Sequence, residues 1–142
     1  MRRIFIDPAS KFCGWALFEG PDYIRGGAIR HNSGTGDVAA FDNLSKIQAD
    51  FLELFLEESP DQVYIEQLVL RTHRYAHWSV GVIGACAATA GIPAEACIAI
   101  RSWQKDTDYQ DGGRDKWKER GYESEDHYAA YLMGDYWMRR GS

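Results

Sequence analysis

The 142-residue sequence, 45% hydrophobic and 26% charged, has the balance of a single globular domain able to bury its own core. Its formal net charge of −5 argues against indiscriminate adhesion to polyanions. It does not exclude nucleic acid, because carboxylates gathered at a metal site bias the sum. No apolar run approaches the roughly 18 residues of a membrane span, and Arg2-Arg3 lead straight into a strand pattern without an apolar leader. Cys13, Cys86 and Cys97 show neither a CxxC pair nor a histidine at zinc spacing, so reduced, mostly buried thiols of a cytoplasmic protein are expected.

Residues 3–7 read as a strand that ends at Asp7-Pro8, since a residue before proline is pushed out of the helical region. A second strand covers Cys13 to Phe18, and a third runs from Tyr23 to Ile29 after the turn residues Gly20-Pro21-Asp22. Three strands with short links predict an antiparallel meander. A long helix follows over Val38 to Glu58, with Phe41, Leu44, Ile47, Phe51, Leu54 and Phe55 forming one apolar face. Gln62 to Gln67 reads as a fourth strand. The segment His77 to Ala90 reads as a helix whose Gly81, Gly84, Ala85, Ala87 and Ala88 predict close packing on the sheet. Gly91-Ile92-Pro93 ends it, and Ala94 to Ile100 predicts a fifth strand. A short basic helix near Arg114–Arg120 and a last helix from Tyr122 or Glu123 to Arg139 complete the chain. Strands first, then alternating helix and strand, predict an α/β domain with a mixed sheet.

Two of these strands run directly into an acid: Ile4-Phe5-Ile6-Asp7 and Val63-Tyr64-Ile65-Glu66. A carboxylate in such surroundings is costly to bury unless something positive meets it. In the last helix Asp126, Ala129, Ala130, Met133 and Trp137 share one face, and Glu123 lies three residues earlier. A lone acid after a strand is ordinarily a turn residue, and acids opening a helix are ordinarily dipole partners; Glu125 is read that way. Three segments contributing acids together predict an oxygen-lined site. Such a site suits Mg²⁺ or Mn²⁺ better than zinc. Its chemistry is phosphodiester hydrolysis with two ions about 3.5–4 Å apart.

Ile4-Phe5-Ile6-Asp7-Pro8, Gly14-Trp15-Ala16 and Val63-Tyr64-Ile65-Glu66-Gln67 together resemble the RuvC-type Holliday-junction resolvases, which share the RNase H fold. Ala90-Gly91-Ile92-Pro93 through Ile100, with Ser102-Trp103-Gln104-Lys105 after it, resembles phage-type members. The resemblance implies an RNase H-like fold: a five-stranded mixed sheet flanked by helices. It implies a homodimeric, divalent-metal-dependent endonuclease that nicks a four-way DNA junction symmetrically. Asp7 and Glu66 become metal ligands. The family carries a paired acid or His, x, x, Asp on its last helix, which Glu123-x-x-Asp126 fits. The alternative register puts Asp126 first, leaving Ala129 at the second position with His127 or Glu125 as substitutes. Ala9 stands where a glycine is common, a departure without chemical consequence.

Positive residues expected at DNA are Arg71 and Arg74, Arg101 and Lys105, and Arg114 and Lys116. Lys105 is also a candidate to stabilise charge on the pentacovalent phosphate. Leu68 or Leu70 sits where the resembling family places an apolar wedge. Arg139 and Arg140 read as solvated surface. Two rivals stand beside resolution: another nuclease of the same fold acting on branched DNA or hybrids, and a non-catalytic junction-binding module. A sugar-kinase or actin-type nucleotide binder of the same fold core would require glycine-rich phosphate loops over a much longer chain, and these are absent.

Overall fold

The protein is described from a computed structural model covering residues 1–8, 12–30, 35–68, 72, 74–99 and 116–140. Five strands, β1 (Arg2–Asp7), β2 (Phe12–Glu19), β3 (Asp22–Arg30), β4 (Gln62–Gln67) and β5 (Ala94–Ala99), form one sheet in the order β3-β2-β1-β4-β5. The first three are an antiparallel meander, whereas β4 runs parallel to β1 and β5 parallel to β4. Helices α1 (Gly36–Glu58), α2 (Arg74–Thr89) and α3 (Glu125–Arg140) are the described helices. The mixed α/β sheet expected from the pattern is present.

Helices cover both faces, so the central strands are apolar on both sides rather than alternating. Ile4, Phe5 and Ile6 are all fully buried. The pleat nevertheless sorts them. Ile4, Ile6, Cys13, Leu17, Val63 and Ile65 pack with α1 and α2 residues Ile47, Phe51, Phe55, Ile83 and Cys86. Phe5, Ala16, Phe18 and Tyr64 face the other way and pack with Ala129, Ala130 and Met133 of α3. Phe5 stacks on Tyr64 at a ring separation of 5.1 Å and meets Phe18 edge-on at 5.5 Å. Burying each such ring contributes about 1.5–3 kcal/mol.

Helix α1 ends at Ser59, which adopts the left-handed conformation (φ 46°) and returns its N–H to the Phe55 carbonyl at 3.0 Å before Pro60 stops the chain. Its apolar face is narrower than the spacing suggests. Phe41 is 58% exposed and stacks on Trp78 of α2 at 5.5 Å instead of entering the core. The expected close approach of α2 glycines to the sheet is also absent. The helix buries Ala76, Ser79, Ile83, Cys86 and Ala87, and a Cβ added at Gly81 or Gly84 would meet nothing within 4 Å. Burial on α2 follows a stripe that takes in Ala87 of the expected small residues and leaves Gly81, Ala85 and Ala88 exposed. The basic helix expected over 114–120 is described only from Lys116. There the chain makes a turn, in which Arg120 N–H donates to the Lys116 carbonyl at 3.1 Å.

Candidate active site

The strand register builds the site. On β1 the residues facing α3 are Phe5 and then Asp7; on the parallel neighbour β4 they are Tyr64 and then Glu66. The same pleat that turns Phe5 and Tyr64 into the α3 core therefore carries both acids to one side, at the carboxyl ends of adjacent strands. Helix α3 lies on that face with Ala129, Ala130 and Met133 inward. One turn before Ala129 and Ala130 comes Asp126, which points down the same stripe.

Glu66 is 2% exposed, buried as deeply as the core around it. Asp7 hydrogen-bonds with both Asp126 and Glu66. Burial, the charge of Glu66 and the charge of Asp126 all push the Asp7 carboxyl well above its ordinary value. Asp126 is also raised, first by burial, against the opposing hydrogen bond from Asp7. Carboxyls this close and this buried favour holding a proton between them. Three segments far apart in sequence meet in one acidic cluster.

Glu123 is placed elsewhere. It precedes the helix, and its Oε2 accepts the Ala28 N–H of edge strand β3 at 2.9 Å. Ser124 is the N-cap of α3: its Oγ accepts the His127 N–H at 3.1 Å. His127 Nδ1 accepts the Glu123 N–H at 3.0 Å, and Nε2 lies 2.9 Å from the Tyr23 hydroxyl. A backbone N–H only donates, so Nδ1 is bare and the ring proton sits on Nε2, donated to Tyr23. Burial holds the His127 imidazole below its usual value, against a smaller pull from Glu123. Both ring nitrogens are committed to holding the start of α3. His127 is a lock on the helix. The sequence carried part of the signal, since Ser124-x-x-His127 has the spacing of a capping box, although the imidazole takes the N–H of Glu123 and not that of the N-cap.

The remaining predicted residues divide by location. Arg74 is exposed, pairs with Asp37 at 2.9 Å and lies over the Tyr75 and Trp78 rings. Lys116 is exposed. Arg71, Arg101, Lys105 and Arg114, with Leu70 of the expected wedge, lie outside the described residues. Arg139 pairs with Asp135 at 2.9 Å, one turn away, as an ordinary surface pair.

The donor chemistry fits a hard divalent cation. Burial, Glu66 and Asp126 all oppose the ionisation of Asp7, and a cation bound by the three carboxyls would offset them. Among the described residues no three such side chains already stand at ligand spacing. The acids are instead turned onto one another in proton-sharing hydrogen bonds. Asp7, Glu66 and Asp126 would exchange those bonds for the ion.

No protein-family profile matches the sequence, and no curated protein sequence does. The fold has clear counterparts. RuvC from Thermus thermophilus in complex with a Holliday junction substrate superposes with a TM-score of 0.70, covering 99% of this chain and 96% of that one at 19% identity. The yeast mitochondrial Holliday junction resolvase Ydc2 gives 0.61, over 96% of this chain and 78% of that one, at 14% identity. The fowlpox virus Holliday junction resolvase gives 0.54 over the full length of both chains, also at 14% identity. The chain has the RNase H-like fold of these resolvases.

Proposed function

We propose that this protein is a structure-selective endonuclease that resolves four-way DNA junctions by metal-dependent phosphodiester hydrolysis. The observation that carries the reading is the convergence of Asp7, Glu66 and Asp126 at the carboxyl ends of β1 and β4 under the start of α3. An acidic cluster this buried has no structural merit of its own, because like charges out of water destabilise the fold. The likeness to resolvases, one of them in complex with a Holliday junction, supports the choice of substrate.

Asp7, Glu66 and Asp126 would hold Mg²⁺, with Mn²⁺ as a substitute. Ions held there would supply an activated water and a charge to stabilise the leaving 3′ oxygen. Glu123 joins them only by releasing the Ala28 N–H. Asp7, held protonated by burial and by its neighbours' charge, would have to release that proton to hold the ion as a carboxylate. His127 and Ser124 hold the helix start, so Asp126 approaches the strand ends in one orientation. Arg71, Arg74, Arg101, Arg114 and Lys116 are assigned to phosphate contacts, and Lys105 to the developing phosphate charge. Symmetric nicking of two opposed strands calls for two such sites, hence a homodimer on one junction.

Asp7→Asn tests the reading. It removes a ligand and a repulsive charge together, so cleavage falls by about 10³-fold or more while junction affinity holds or rises. A variant that still cuts at near the wild-type rate would dismiss the metal assignment.

A further inference from the structure

Asp7 stands directly opposite Gly14 in the β1–β2 ladder, so both address the face covered by α3. A Cβ on Gly14 would lie 1.9 Å from the Asp126 carbonyl oxygen, 2.0 Å from its carbon and 2.4 Å from the His127 nitrogen. All three atoms are backbone, so no side-chain rotation makes room. The next strand continues the theme: a Cβ on Gly26 would come within 2.7 Å of His127 Nε2 and 2.3 Å of the Trp15 carbonyl oxygen. At Gly27 the nearest atom would be Glu123 Oε2 at 3.0 Å, the end of a flexible side chain.

We propose that Gly14 is a positioning residue for the acidic centre: its missing side chain lets the Asp126–His127 peptide lie directly on β2, which brings the Asp126 carboxyl onto Asp7. The value of that contact rests on the metal-site reading above, whereas the placement itself rests on distances alone. An alanine at position 14 lifts the first turn of α3 by about 1.5 Å, the length of one C–C bond. The rest of the helix stays, because Ala129, Ala130 and Met133 remain clamped against Phe5 and Phe18. An aspartate then falls short of Asp7 by roughly the reach that one more methylene restores.

The test compares wild type, Gly14→Ala, Asp126→Glu and the double variant by crystal structure, thermal melt and Mn²⁺ calorimetry. Gly27→Ala, which presses only on side-chain ends, is the control. The expected result is a folded Gly14→Ala protein with the α3 start displaced from β2 and Mn²⁺ bound about 10-fold or more weaker. Asp126→Glu weakens binding on its own and restores it in the Gly14→Ala background. Gly27→Ala stays near wild type. Three results would each overturn the proposal: Gly14→Ala that does not fold, an undisplaced Asp126, or a double variant no better than Gly14→Ala. A wild type that binds no Mn²⁺ would sink the metal reading instead, and the crystal structures would still judge Gly14.

Discussion

Asp7 and His127 bear on stability in separate ranges of pH. The folded Asp7 carboxyl is raised well above the unfolded value of 3.8. Below that value the acid is protonated in both states and exerts no bias. As pH rises past it, the unfolded chain ionises while the fold keeps the proton, so metal-free stability declines until the folded group also ionises. His127 acts with the opposite sign, because its folded value is lowered: stability falls as pH drops through the unfolded histidine range. Melts in EDTA should therefore show Asp7→Asn more stable than wild type at neutral pH. Mg²⁺ should raise the wild-type melting temperature and leave the variant nearly unmoved. Equal Mg²⁺ stabilisation of both proteins would contradict the site. Asp7 and Glu66 were legible because apolar strand residues run straight into each carboxylate. Asp126 was legible from its helical spacing to Ala129, Ala130 and Met133. The seat of Glu123 on Ala28 was not, since it depends on which backbone N–H the edge strand leaves open, a fact of tertiary structure. The demand at Gly14 was hidden for the same reason.

The elements of the sheet follow from local patterning, and the helices show where that patterning stops. The periodicity that placed Ile47, Phe51 and Phe55 inside also pointed Phe41 inward, yet at the start of α1 the buried positions are Ala39, Ala40 and Asn43, and Phe41 stacks on Trp78 at the surface. In α2, glycine and alanine content suggested tight packing, but Ile83 and Cys86 define the buried stripe and carry Gly81 away from it. The start of α3 is the element on which the site depends. Its cap fixes the first residue at Glu125, later than the acidic run alone indicated, because Ser124 takes the N-cap and the His127 ring holds the N–H of Glu123 just outside the helix. Ser124→Ala should cost about 1 kcal/mol, within the usual 0.5–2 kcal/mol for a lost cap. A drop of about 4 °C in melting temperature checks it. Unchanged stability would mean that the His127 ring alone holds the helix start.

At the scale of the molecule, the meander and the parallel extension share a strand, β1, and the site forms where that strand ends between antiparallel and parallel partners. Helix α3 crosses this junction of the two halves and delivers the third acid. This arrangement explains why Asp7 and Asp126, separated by more than half the chain, meet at one place, and why the spacing of acids along the sequence was informative. Surface charge was less legible. Arg74 and Arg139 are already paired with Asp37 and Asp135 in the structure, which tempers their availability to phosphates. The central claim is cleavage. The direct measurement is incubation of a labelled, mobile four-way DNA junction with Mg²⁺, with Mn²⁺ and with EDTA, mapping products on all four strands. Paired nicks placed symmetrically on two opposed strands, lost in EDTA, are the predicted result. Tight junction binding without any metal-dependent cut would contradict the account and mark the protein as a non-catalytic junction binder. Cutting confined to flaps or RNA–DNA hybrids would contradict the substrate and keep the metal site.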